Sequence, residues 1–198
     1  LRYMDAATYG AWLASGGLIA LAGLFESGLS VVVTQRLAVA THRNDADLFA
    51  KIAGSGFTLA VGLAVVALVV GMLIANLAPA FVNTPSDAVP RLRLALMCSV
   101  VGSAAMIVMY MLAAAPQAWQ RTFASGMVGW GAFSVYIGTI LLLLIKGYGV
   151  LALGVGMLAY GLSYSMGQLL VAGMQWRLSG LGRPRYCSRC AMAIWRQL

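Results

Sequence analysis

Glu26 is the one carboxylate inside any long apolar run of this sequence, and its position opens the widest choice of chemistry. A charged side chain at the middle of a bilayer costs about 2.5–3.5 kcal/mol or more unless it is partnered or hydrated. Glu26 therefore reads in one of two ways. It is a proton- or cation-coupling group or half of a gate pair, or it is a carboxylate at headgroup level paired to Arg36 or another basic residue. The candidate cations are Arg36, Arg121, Arg91 and Arg93. Arginine grips phosphate oxygens in bidentate fashion, so Arg36 and Arg121 could attract a lipid diphosphate. Their plainer role is to anchor the positive side of a membrane protein. Arg91 and Arg93 would either help release an anionic product or snorkel to headgroups. Gln117, next to Pro116, is either a polar group in a cavity or a loop residue.

The cysteines offer less. Cys187-Ser188-Arg189-Cys190 is a single CxxC pair, and structural zinc takes four ligands. His42 is the only histidine and still leaves such a set one ligand short. Incidental thiols are the reading, with palmitoylation as a minor option. No serine–histidine–acid set, paired carboxylates or phosphate loop of the GKS/GKT type is present, so neither an enzyme, an ATPase of its own, nor a metal or cofactor site is expected.

These residues need elements to position them, and composition says what kind. The chain has 198 residues, 62% hydrophobic and 9% charged, with mean hydropathy +0.89. A soluble domain carries about a quarter charged residues and a little under half apolar ones. This chain cannot cover itself with polar surface, so its environment is membrane lipid. The apolar runs are long and continuous rather than short and alternating, which excludes a β-barrel and gives an all-α, polytopic transmembrane helix bundle. The net charge of +8 reads as topology, not as affinity for nucleic acid, because the charges sit mainly at helix ends.

A span needs about 20 apolar residues. About five are expected, at 6–35, 52–75, 94–115, 122–145 and 149–176, together forming a bundle over 1–178 with a basic cytoplasmic tail at 179–198. In the first, Trp12, Ser15, Ile19, Ala22, Glu26, Ser30 and Val33 share one stripe at helical spacing, expected to face protein or a water-filled cavity. Asn44-Asp45 reads as a turn, with Asp45 or Asp47 capping the next helix. Gly54, Thr58 and Gly62 form a small-residue stripe suited to helix packing. Residues 76–93 hold three of the five prolines and read as a turn segment, with Asn76 a helix C-cap. Pro116 is expected to end or kink the third span, and Lys146-Gly147-Tyr148-Gly149 to turn tightly. Tyr110, Tyr136, Tyr160 and Tyr164 would stack on sugar rings or serve as packing and belt residues. The methionines read as lipid-facing or core filler.

With five spans, one side collects Arg36, Arg43, Lys51, Arg121, Arg177, Arg183, Arg185, Arg189 and Arg196, and the other Arg2, Arg91, Arg93 and Lys146. The first side is the cytoplasmic one by the positive-inside rule. The N-terminus then falls outside, and a further helix upstream would bring both ends inside.

Three stretches, in order and spacing, resemble a known family. They are Tyr9-Gly10-Ala11-Trp12-Leu13 leading to Phe25-Glu26-Ser27-Gly28-Leu29, Arg36 and the His42–Asp47 turn; Ala115-Pro116-Gln117-Ala118-Trp119-Gln120-Arg121; and Lys146-Gly147-Tyr148-Gly149-Val150 opening a glycine-rich last helix. Together they resemble helices two to six of the polysaccharide flippases, the O-antigen and repeat-unit transporters of the multidrug/oligosaccharidyl-lipid/polysaccharide exporter superfamily. The resemblance covers about residues 3–178 and implies the first lobe of a two-lobe transporter without its first helix. It departs from the family pattern in having no second lobe and in its CSRC tail.

The function this resemblance implies is translocation of a polyprenyl-diphosphate-linked oligosaccharide across the cytoplasmic membrane of a bacterium, for surface polysaccharide biosynthesis. It also implies alternating access of two lobes, proton or sodium coupling, and polysaccharide-assembly proteins as partners. The alternatives are a cation-coupled multidrug antiporter of the same superfamily, a membrane-embedded acyl- or glycosyltransferase, and a non-catalytic membrane assembly protein.

Overall fold

A computed structural model describes residues 6–81, 88–178 and 184–196, with the side chains of residues 6–8, 11 and 14–27 outside the description. The described chain is all helix: α1 (Ala6–His42), α2 (Ala46–Phe81), α3 (Val89–Ala118), α4 (Thr122–Ile145), α5 (Leu151–Leu178) and the short α6 (Ser188–Trp195). Among the described residues, four helices are long and apolar enough to cross a membrane: α2, α3, α4 and α5. The expected first span coincides with the 37-residue α1. The chain is thus an α-helical, multi-pass membrane protein.

Three connections end their helices in the same way. After α1, Asn44 takes a left-handed φ of 52°, its N–H bonds Thr41 O, and Asp45 N bonds Ala40 O. After α3, Gln120 has φ 58°, its N–H bonds Gln117 O, and Arg121 N bonds Pro116 O at 2.9 Å. After α4, Gly147 has φ 80°, its N–H bonds Leu144 O, and Tyr148 N bonds Leu143 O. Each is a Schellman cap, which satisfies the last helical carbonyls and reverses the chain in a few residues. The expected turns at Asn44-Asp45 and Lys146–Gly149 are thus found, and Asp45 Oδ1 accepts from Leu48 N at 2.8 Å as the expected cap of α2.

Proline proved a poor guide to helix ends. Pro116 does not end α3 but lies fully buried within its last turn, and the helix runs on to Ala118. Gln117 is accordingly helical, not a loop residue. Likewise α2 runs through Asn76 and Pro79 to Phe81, so the turn segment is shorter than 76–93 and Asn76 is no C-cap: its Nδ2 donates back to Met72 O. Both prolines are buried, and helix packing around them tolerates the loss of one backbone donor at each. The intervening residues 82–87 lie outside the described residues.

The long helices alternate in direction. α3 and α5 run parallel in close contact, because a Cβ on Gly154 would collide with the backbone of Ala95, and one on Gly161 with that of Gly102. Gly102 in turn lies against Met157 O, 2.5 Å from where its own Cβ would sit. Gly154, Gly161, Gln168 and Gln175 are all buried and recur every seven residues along α5. That spacing is the seam of left-handed helix packing, and glycine on it lets two backbones approach. The expected small-residue stripe on α2 does not do this: Gly62 meets nothing within 4 Å, Thr58 is exposed, and only Gly54 is covered. On α1, Leu29, Val33, Leu37 and Ala40 form the buried row. Of the expected polar stripe, Val33 is buried and Trp12 packs on the cluster around Leu92 and Leu96, while Ser15, Ile19, Ala22 and Glu26 fall among the undescribed side chains.

Candidate functional site

One end of the bundle gathers the close of α1, the start of α2, the close of α3 and the close of α5. Phe49, at the start of α2, holds them together. It is 2% exposed, stacks on Trp119 with centroids 5.2 Å apart, and meets Trp176 at 5.7 Å. This is the end where the basic majority was expected, and it carries the clefts. One, of about 430 Å³, is lined by Ala38, Thr41, His42, Ala118, Trp119, Gln120, Arg121 and Leu178. A second, of about 210 Å³, shares Thr41 and Trp119 and extends to Asn44 and Asp45.

Arg121 is exposed and is the N-cap of α4. Arg121 lines the larger cleft, where the N–H groups of the helix start give a favourable field for an anion. His42 stands on the same cleft, not beside the tail cysteines, and among the described residues no group of three or more metal-ligating side chains exists.

The other predicted site residues are dispersed. Arg36 is partly buried, and its Nη2 donates to Ala193 O at 3.1 Å, tying α1 to α6. It is not among the residues that line the Arg121 cleft. Gln117 is exposed in the last turn of α3 and lines neither cleft. Arg91 and Arg93 are exposed in the first turns of α3, at the opposite end. Glu26 lies on α1, and its side chain is outside the described residues.

The four tyrosines pack on one another. Tyr110–Tyr164, Tyr164–Tyr160 and Tyr160–Tyr136 have centroid separations of 5.5, 6.1 and 5.8 Å, and Phe133 continues the row from Tyr136 at 6.0 Å. Edge-tilted rings at these distances are favourable pairs. They join α3, α5 and α4.

Sequence reasoning missed the polar pair beneath this row. Gln168 is completely buried on α5, its Nε2 donates to Ser125 Oγ at 2.8 Å, and Ser125 Oγ lies 3.0 Å from its Oε1. Ser125 and Ala132 are the only buried described residues of α4, so this pair fixes how α4 registers on α5. Two further buried polar atoms, Ser99 Oγ and Gln175 Oε1, make no hydrogen bond within the described residues. The seven-residue recurrence of Gly154, Gly161, Gln168 and Gln175 was the available signal. In a double-mutant cycle in detergent, Gln168→Leu and Ser125→Ala should couple by about 0.6–2 kcal/mol, the range for hydrogen bonds between membrane helices. Additive losses would show that the pair does not set the register.

The C-terminal segment folds back onto the same end. Arg185 N donates to Ala50 O at 3.1 Å. Ser55 Oγ accepts from Cys187 N and faces Cys187 O, both at 3.0 Å. Gly54 makes room, since a Cβ there would lie 2.5 Å from Arg185 O. Ile194 is fully buried. Pro184 closes a largely apolar hole of about 200 Å³ lined also by Leu37, Phe57, Met111 and Trp176.

Fold and site thus define a multi-pass helical membrane protein with polar clefts at its basic end. No protein-family model matches the chain, and no curated protein or solved structure shows significant similarity to it.

Proposed function

We propose that the chain is the first lobe of a bacterial cytoplasmic-membrane transporter that flips a polyprenyl-diphosphate-linked oligosaccharide, a carrier and not an enzyme. The observation that supports this most is the cleft of about 430 Å³ in which Arg121, at the start of α4, faces Thr41 and His42 of α1. A diphosphate needs a cation with donors around it at the membrane surface, and an arginine at a helix N-terminus supplies both. Glu26 is the coupling group for a proton or sodium ion in this reading, because an acid in an apolar span is retained only with a partner or water.

The test is flipping of a fluorescent polyprenyl-diphosphate oligosaccharide in proteoliposomes that hold the whole two-lobe transporter, with Arg121→Ala, Arg121→Lys and Glu26→Gln. Arg121→Ala should slow flipping about tenfold, equivalent to ~1.4 kcal/mol, with Arg121→Lys recovering part of the rate. Glu26→Gln should lower transport while leaving the amount of folded protein unchanged. Equal rates for all four proteins would remove both residues from the pathway and the proposal with them.

A further inference from the structure

The two tail cysteines stand in an arrangement that the transport reading does not use. Cys187 is the N-cap of α6, with extended backbone angles (φ −134°, ψ 111°), and Cys190 is the third residue of the helix. Residues three apart across a first helical turn face the same way, within the separation a disulfide spans. The two are unbridged in this structure and partly buried. Neither anchors the segment, because the buried positions of α6 are Ala191 and Ile194.

The backbone of Cys187 is held at both its N–H and its carbonyl by Ser55 Oγ, a fully buried hydroxyl on α2. The attacking sulfur therefore has a fixed base. As the N-cap residue, Cys187 places its sulfur beside the first N–H groups of α6, at the positive end of the helix. The Cys190 thiol, then the neighbouring backbone N–H groups and Lys51, hold the Cys187 thiol below its ordinary pKa. Burial, and then the Cys187 sulfur, push Cys190 up. The two thiols are thus unequal, as a nucleophile and its resolving partner are.

We propose that Cys187 and Cys190 form a thiol–disulfide exchange site whose substrate is an incoming disulfide, R–S–S–R. The Cys187 thiolate attacks one sulfur of that disulfide and releases RS⁻, giving a mixed disulfide. Cys190 gives up its proton to the released thiolate and attacks Cys187 Sγ, which expels the second RS⁻; this takes a proton from solvent. The cysteine pair loses two electrons and two protons, and the incoming disulfide is reduced to two thiols.

The experiment incubates the whole chain in detergent with oxidised glutathione, quenches with acid, and measures intact mass and alkylatable thiols after denaturation. The wild-type chain should lose two hydrogens without a retained adduct and fall from three alkylatable thiols to one, that of Cys98. Cys187→Ser should react slowly, and Cys190→Ser should accumulate one stable glutathione adduct on Cys187. Dithiothreitol should restore all three thiols. Stable glutathione adducts on the wild type, a bridge through Cys98, or a bridge between chains would each overturn the proposal, as would equal adduct formation by the two variants.

Discussion

Gly154→Leu is expected to separate α3 from α5 and to produce one of the two largest losses of stability among single substitutions in the bundle. At Gly154 the neighbour is the Ala95 backbone itself, which cannot rotate away as a flexible side chain can. Overpacking against adaptable side chains costs about 1–3 kcal/mol. Here the helices must part, so the loss should reach the top of that range or exceed it. The displacement also opens the seam at Gly161 and Gln168, seven and fourteen residues on, and loosens α4 through Ser125. In lipid there is little hydrophobic drive to bring helices back together; close backbone packing supplies the association. A melting curve in mild detergent, followed by tryptophan fluorescence, should show a markedly lowered midpoint. The control is Gly138→Leu on α4, where nothing lies within 4 Å of the added carbon and the midpoint should hold. Equal midpoints for the two variants would mean that α3 and α5 do not touch at Gly154.

Phe49→Ala is expected to cost a comparable amount. Phe49 is almost wholly buried between Trp119 and Trp176, and removing such a ring costs about 3–5 kcal/mol when the site cannot collapse. The loss falls on three helix ends at once, because α2, α3 and α5 meet through these rings. It should also merge the smaller cleft with the space left behind, since Phe49 and Trp119 both line it. Trp119 and Trp176 would gain solvent contact, so their emission should shift to the red along with the lower melting midpoint. Phe49→Leu should recover part of the stability without the stacking. An unshifted emission maximum in Phe49→Ala would show that the aromatic group is not what closes this end.

The fold was legible where one strong force acts. Apolar runs longer than a bilayer is thick appear as long helices, and four of the five expected spans are helices whose described residues suffice to cross a membrane. Asn44 and Gly147 were readable as turn residues because both tolerate a positive φ. Gln120 was not, since glutamine carries no such preference, and the close of α3 was therefore assigned to Pro116. The seam of α3 and α5 escaped notice for a related reason. Glycines are scattered over every helix, and only the partner's backbone shows which of them lie at a contact. Site residues were the hardest to place. Charge made Arg36, Arg91, Arg93 and Arg121 conspicuous, yet of these Arg121 alone lines either cleft described at the basic end; Gln168, uncharged and silent in the sequence, is fully buried and hydrogen-bonded to Ser125. The tail was read only as basic sequence, because its docking depends on Ala50, Gly54 and Ser55 more than 120 residues earlier.

The length of α2 fixes how deep that docked tail can sit. Its 36 residues extend ~54 Å at the helical rise, whereas the hydrocarbon layer is ~30 Å thick. Even a strongly tilted α2 leaves turns standing in the headgroup layer at its ends. Ala50 and Ser55, the residues that receive the tail, lie in the first three turns. The segment from Pro184 to Cys187 and the helix after it are therefore expected at the headgroup layer, with Arg185 and Arg189 exposed and Ile194 turned inward. The lipid surface, as much as the helices beneath, becomes one wall of the tail's binding site, and the proportion of anionic lipid in the membrane becomes a variable that sets how firmly the tail stays in place.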